Sequence, residues 1–142
     1  MTLTAEQKRL VRSSWALVAP IQDEAARLFY DRLFEIDSST RPLFASTDMA
    51  KQGKKLMQMI NVAVASLERL DAIRSAVKDL GRRHEGYGVR EEHYESVGAA
   101  LLWTLGQGLG EEFTLEVEEA WAETYGTLTA IMKDGAAAEA AA

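Results

Sequence analysis

Three side chains in this sequence carry a reactive or hydrogen-bonding group at a position that helical spacing turns inward: His84, Gln52 and Tyr30. His84 continues the stripe Ile73, Val77, Leu80, so its imidazole is aimed where a core should lie. Gln52 stands one turn before Leu56 and aims an amide at an apolar wall. Tyr30 follows Phe29 at the edge of a third apolar stripe. Buried polar groups need partners, so each has a plain structural reading. His84 could be a satisfied core histidine, and Tyr30 a core tyrosine whose hydroxyl reaches a backbone group. The chemical reading is different. Two helices would each offer one polar group to a space lined by Leu56, Ile60, Phe44, Val89 and Val97, an apolar pocket with few polar contacts.

The rest of the inventory narrows the chemistry. Histidine occurs only at 84 and 93 and cysteine is absent, which leaves few ways to hold a metal. Thiolate metal sites, thiol nucleophiles and a disulfide framework are excluded. His93 opens a helix beside Tyr94 and reads as a solvated or helix-terminal histidine. Lys51, Lys54, Lys55, Arg82 and Arg83 form two small basic groups, and surface solvation is their default. Glu111, Glu112, Glu116, Glu118 and Glu119 read as a solvated acidic face, and Trp15, Trp103 and Trp121 as packing residues.

These residues sit in a chain of 142 residues, 47% apolar and 27% charged, with net charge −6. That is one domain, residues 1–142, with enough apolar content for a core. The acidic balance argues against non-specific nucleic-acid binding. The first residues hold no apolar signal region, and no stretch approaches the roughly 18 apolar residues of a membrane span. A cytoplasmic location fits the absence of cysteine.

The apolar spacing is helical almost throughout. Thr4 and Gln7 form a capping-box pattern that opens a helix to about Val18. Pro20 suits the first turn of a second helix, with Ile21, Ala25, Leu28, Phe29, Leu33 and Ile36 inward. Asp37 to Thr40 is a stop and a new cap, and 41–44 a short helical turn. A helix from about Met49 to Leu67 turns Leu56, Met59, Ile60, Ala63, Val64 and Leu67 inward. Another covers roughly Asp71 to Arg83, ended by Gly86 and Gly88. Glu91 opens a long helix with Tyr94 and Val97 inward, fraying at Gly106, Gly108 and Gly110, and Thr114 caps the last one. Residues 135–142 read as a frayed alanine-rich tail. No segment alternates with period two, so the class is all-α, too uneven for a symmetric four-helix bundle.

Short motifs in a specific order resemble the bacterial single-domain haemoglobins related to the globin domains of flavohaemoglobins. The group includes the Vitreoscilla haemoglobin type and the thermophile and methanotroph globins. The matching pieces are Leu28-Phe29-Tyr30-Asp31-Arg32-Leu33-Phe34, Arg41-Pro42-Leu43-Phe44, Lys51-Gln52-Gly53-Lys54-Lys55-Leu56 and Leu80-Gly81-Arg82-Arg83-His84. Gly88-Val89, His93 to Gly98, Ala120-Trp121 and Tyr125-Gly126 continue the series, so that the likeness covers about residues 3 to 134. It implies a globin fold of about six to eight helices around a pocket for haem b, iron protoporphyrin IX.

The resemblance also implies roles. His84 matches the proximal iron ligand, Phe44 the aromatic on the haem face, Tyr30 and Gln52 the distal hydrogen-bond donors. Leu56 matches the aliphatic residue beside the ligand and Tyr94 the proximal tyrosine. Val89 and Val97 would line the pocket, while Lys55 and Arg82 would pair with the propionates. A neutral imidazole is a suitable axial ligand, and the Leu80 carbonyl one turn back could accept its other N–H. One departure stands out: where flavohaemoglobins carry a glutamate that completes a proximal hydrogen-bonded trio, this chain has Ala136, with Glu139 out of register. The resemblance therefore lends no support to a peroxidase-type, imidazolate-like ligand.

The function this implies is reversible dioxygen binding at a five-coordinate ferrous haem, because an amide at position 52 is a poor iron ligand. Bound dioxygen carries partial negative charge, so two donors should retain it. Other diatomic ligands would compete for the site. A second reading is nitric oxide dioxygenation, in which bound dioxygen gives nitrate. The chain shows no G-x-G-x-x-G fingerprint, so turnover would draw on an external reductase. A haem-free helical interaction module is a third reading, and a sensor, usually joined to an output domain, a fourth. Monomer and homodimer both remain open.

Overall fold

The capping box expected at Thr4 is formed: the Thr4 hydroxyl accepts the Gln7 N–H at 3.0 Å, and the Gln7 side chain accepts the Thr4 N–H at 3.0 Å. In the computed structural model, which describes residues 3–86 and 89–141, helix α1 then runs Ala5–Val18. A 3-10 turn at 19–21 places Pro20 just ahead of α2, Gln22–Ile36, rather than inside its first turn. A second 3-10 segment, Ser38–Phe44, follows. Asp48 caps α3, Met49–Ala65, by accepting the Ala50 N–H at 3.0 Å and the Lys51 N–H at 3.3 Å. Helix α4 covers Leu70–Gly86, α5 Glu91–Leu109 and α6 Leu115–Ala141. Gly110, at φ 56°, ends α5 in a backbone conformation that L side chains rarely adopt. Thr114 caps α6, accepting the Val117 N–H at 3.2 Å. The α6 backbone stays helical through the alanine-rich segment. Gly88, expected to help end α4, lies outside the described residues, as do the side chains of Ala136 and Glu139.

Among the described residues the fold is all helix, with no strand. Helix α4 lies mainly on α6, α2 on α5, α1 on α6 and α5, and α3 on α2 and α1. One core gathers Val11, Trp15, Val18, Met57, Leu105 and Trp121. The rings of Trp15 and Trp121 meet edge-on at 5.9 Å, and their indole N–H groups donate to Asn61 (2.6 Å) and Ser14 (2.8 Å). These two tryptophans are packing residues, as expected. A second core holds Phe29, Tyr30, Leu33 and Ala100.

Two glycines set the crossings. A Cβ at Gly53 would come within 3.0 Å of the Ala26 Cβ, so α3 lies tightly on α2 there. A Cβ at Gly81 would fall 2.0 Å from the Met132 carbonyl oxygen, which brings the α4 and α6 backbones together. The first crossing corrects an expectation. It turns Met57 inward, four residues after Gly53, and leaves Met59, expected on the inward stripe, 39% exposed. Ile21, in the 3-10 turn ahead of α2, and Ile36, the last residue of α2, stand at the two ends of the second apolar stripe and are also exposed.

Candidate functional site

The Gln52 amide nitrogen donates to the Tyr30 hydroxyl oxygen at 3.2 Å, which joins α3 to α2. Tyr30 is 7% exposed, and burial pushes its phenol above the ordinary tyrosine range, with the Gln52 bond opposing that shift. Because the oxygen accepts from Gln52, the hydroxyl hydrogen is left to donate elsewhere. Apolar contacts fix the ring. It meets Phe29 edge-on at 4.9 Å and Phe44 at 5.4 Å, and Leu56 and Val97 pack against the same cluster. The structure thus brings together Tyr30, Gln52, Phe44, Leu56 and Val97 from four elements. Ile60 packs against the tryptophan core instead.

His84 forms a second group near the end of α4. Its Nδ1 lies 2.7 Å from the Leu80 carbonyl. A carbonyl only accepts, so Nδ1 carries the proton, and the neutral ring has its lone pair on Nε2. The carbonyl of His84 in turn accepts the Val89 N–H at 3.0 Å. Both side chains are half-buried.

Tyr94 belongs to a third group. It is buried, the Lys133 ammonium sits 5.5 Å from its ring centroid, and its carbonyl accepts the Tyr125 hydroxyl at 2.5 Å. Burial pushes the Tyr125 phenol strongly upward, and Tyr94 beside it acts in the same direction. A Cβ at Gly98 would fall 2.8 Å from the Tyr125 ring, so only glycine leaves that ring its place. Neither Lys133 nor the Tyr125 hydroxyl bond was foreseen. Tyr125 reads in sequence as one more apolar position of α6, and nothing local reports the bond.

The two residues expected to pair with propionates lie at the surface. Lys55 is exposed, and Arg82 is exposed and paired with Asp79 one turn away. His93 departs from expectation. It does stand at a helix start, but at 3% exposure it is buried rather than solvated, and its ring is bonded to Arg90 and Ser39. The described residues contain no cluster of three or more histidine, aspartate or glutamate side chains able to hold a metal ion.

A family model described as Globin matches residues 27–132, most of the chain. The chain belongs to the globin family. Neuroglobin from Tetraodon nigroviridis is 28% identical over 146 residues, covering 94% of this chain and 92% of the relative. Neuroglobin from Chaenocephalus aceratus matches to the same extent, as does neuroglobin-1 from Oncorhynchus mykiss. Among solved structures, a hexacoordinated haem protein from an anhydrobiotic tardigrade superimposes with a TM-score of 0.84 at 19% identity. The match covers 94% of this globin and 95% of that chain, and it shows the shared fold. Membership of the family brings with it haem-based binding of a diatomic ligand. No described helix of this globin is long and apolar enough to cross a membrane.

Proposed function

We propose that this globin binds dioxygen reversibly at a haem b held by His84, with Tyr30 and Gln52 as the hydrogen-bond donors to the ligand. The residues present suit that group. The Nδ1–H bond to Leu80 holds the His84 tautomer whose Nε2 can act as a Lewis base, and it orients the ring. The aromatic Phe44 and aliphatic Leu56 and Val97 offer an apolar lining beside Tyr30. When bound, a ferrous haem supplies the metal centre at which a diatomic gas is held. The bond from Gln52 to Tyr30 carries the reading. It makes the phenol oxygen the acceptor toward Gln52 and leaves the hydroxyl hydrogen to donate, and dioxygen, partly negative when held, is a better acceptor than carbon monoxide. The same pair supports placing the chain with the single-domain bacterial haemoglobins its motifs resemble.

A ferrous haem held there would be five-coordinate, since the amide at position 52 ligates iron poorly. This separates the proposal from the hexacoordination named for the tardigrade protein. An ultraviolet–visible titration with dithionite, oxygen and carbon monoxide tests both parts. The expected result is a Soret band, a broad five-coordinate deoxy spectrum, and reversible formation of oxygen and carbon monoxide complexes. Absence of a Soret band after haem addition refutes the haem role of these residues. Sharp low-spin deoxy bands refute the five-coordinate state.

A further inference from the structure

The end of α2 is tied to the start of α5 by a chain of hydrogen bonds in which each link has only one sense. The Arg90 backbone N–H lies 2.9 Å from His93 Nδ1, so Nδ1 must accept. In the neutral ring the proton is then on Nε2, which donates to the Ser39 hydroxyl at 3.2 Å. The Ser39 hydroxyl donates to Asp37 Oδ1 at 2.5 Å, and the Ser96 hydroxyl donates to Asp37 Oδ2 at 2.8 Å. Buried Thr40 closes the turn by donating to the Asp37 carbonyl at 2.7 Å. Ser39 is the second residue of the 3-10 segment whose last residue is Phe44, with Pro42 stiffening the path between them. Phe44 meets the Tyr30 ring at 5.4 Å and 69°.

We propose that His93 is a positioning residue for the ligand site: through Ser39 it holds the 38–44 segment, and through Phe44 it sets the angle of the Tyr30 ring. The inference builds on the proposed dioxygen site. A ring packed edge-on can turn only if its neighbour gives way, so slack at Ser39 becomes rotational freedom of the Tyr30 hydroxyl. The carboxylate of Asp37, reached through Ser39, is the charged group at the far end of this chain of bonds. The latch itself is a tautomer assignment and calls for no change of charge.

Three variants separate positioning from stability. Ser39→Ala removes the receiver and leaves the α5 start intact. His93→Leu removes the donor. His93→Gln keeps a side chain that accepts from the Arg90 N–H and donates to Ser39, as a capping-box glutamine can. In the ferrous carbon monoxide complex, wild type and His93→Gln should show one main C–O stretching band. Ser39→Ala and His93→Leu should add a higher-frequency band from unbonded carbon monoxide, and dioxygen release should accelerate about threefold or more. A lowered Tm with unchanged bands and release rates overturns the proposal. If wild type takes up no haem, the dioxygen reading fails, and two resonances of the protein as purified still decide the latch. The 15N shifts of His93 should report the Nε2–H tautomer, and an Overhauser effect between the Phe44 and Tyr30 rings should weaken in Ser39→Ala. The opposite tautomer, or an unchanged ring contact in that variant, overturns it.

Discussion

Exchanging Tyr30 for phenylalanine tests the proposed ligand chemistry most directly. The ring is buried and held by edge contacts to Phe29 and Phe44, and phenylalanine keeps both. Packing should therefore change little. The variant loses one donor to a partly charged acceptor, about 1.5–3 kcal/mol in a dry pocket. Part of that is recovered. Gln52 donates to the Tyr30 oxygen in the native protein, and without that oxygen its amide can turn to the ligand. The amide N–H, a weaker acid than the phenol and carried on a longer side chain, restores about 0.5–1.5 kcal/mol. The remainder, about 1–1.5 kcal/mol, corresponds to a roughly five- to twelve-fold faster dioxygen release, at about 1.4 kcal/mol per factor of ten. Stopped-flow displacement by carbon monoxide measures it. Gln52→Leu should accelerate release by less, because it removes the weaker donor and Tyr30 keeps its hydroxyl. The double variant should fall short of the product of the single effects or exceed it, since the two donors are coupled through one bond. Carbon monoxide release, measured in parallel, should change much less. If both single variants retain a normal Soret band and an unchanged dioxygen release rate, this pair does not hold the ligand.

Three further outcomes follow from the geometry. His84→Gly should lose haem and regain a Soret band when imidazole is added to the solution; haem retained without imidazole would move the ligand role elsewhere. Gly81→Ala places a methyl group against the Met132 carbonyl, so the α4–α6 crossing must open, at a cost of at least the roughly 1–3 kcal/mol of overpacking; urea unfolding reads the loss. Burial raises the Tyr30 and Tyr125 phenols in the folded state, so above about pH 10 the unfolded chain sheds protons that the folded chain retains. Stability should hold below that pH and fall as pH rises through it, and urea unfolding at pH 8 and pH 11 should show a smaller fall in Tyr125→Phe, which at pH 8 is itself about 1 kcal/mol less stable for want of the bond to Tyr94.

What could be read from the residues was mostly local. The capping box at Thr4, the Asp37 turn and the Thr114 cap each involve partners two or three residues apart, and they form as expected. The inward positions of Tyr30 and Gln52 follow from periodicity, and their meeting needed only that α2 and α3 cross. Periodicity failed where a crossing is set by a residue that contributes nothing to an apolar stripe. Gly53 decides which side of α3 faces α2, and so it buries Met57 and exposes Met59, but a glycine has no hydrophobic signal. The burial of His93 was hidden for another reason. Its partner Ser39 lies 54 positions away, and the fold alone joins them. Lys133 over the Tyr94 ring is a contact of the same long-range kind.

The seat of Gly81 on the Met132 carbonyl also bears on the order of events as the chain is made. Helix α4 rests chiefly on α6, and α6 leaves the ribosome well after it. At roughly 5–20 residues per second, the segment carrying His84 waits several seconds for the surface that fixes its axis. The Tyr30–Gln52 pairing has no such delay, since α2 and α3 are near neighbours in sequence. With the site as proposed, a cofactor arriving during synthesis would meet the Tyr30–Gln52 wall before the His84 wall, and lasting capture would belong to the finished chain.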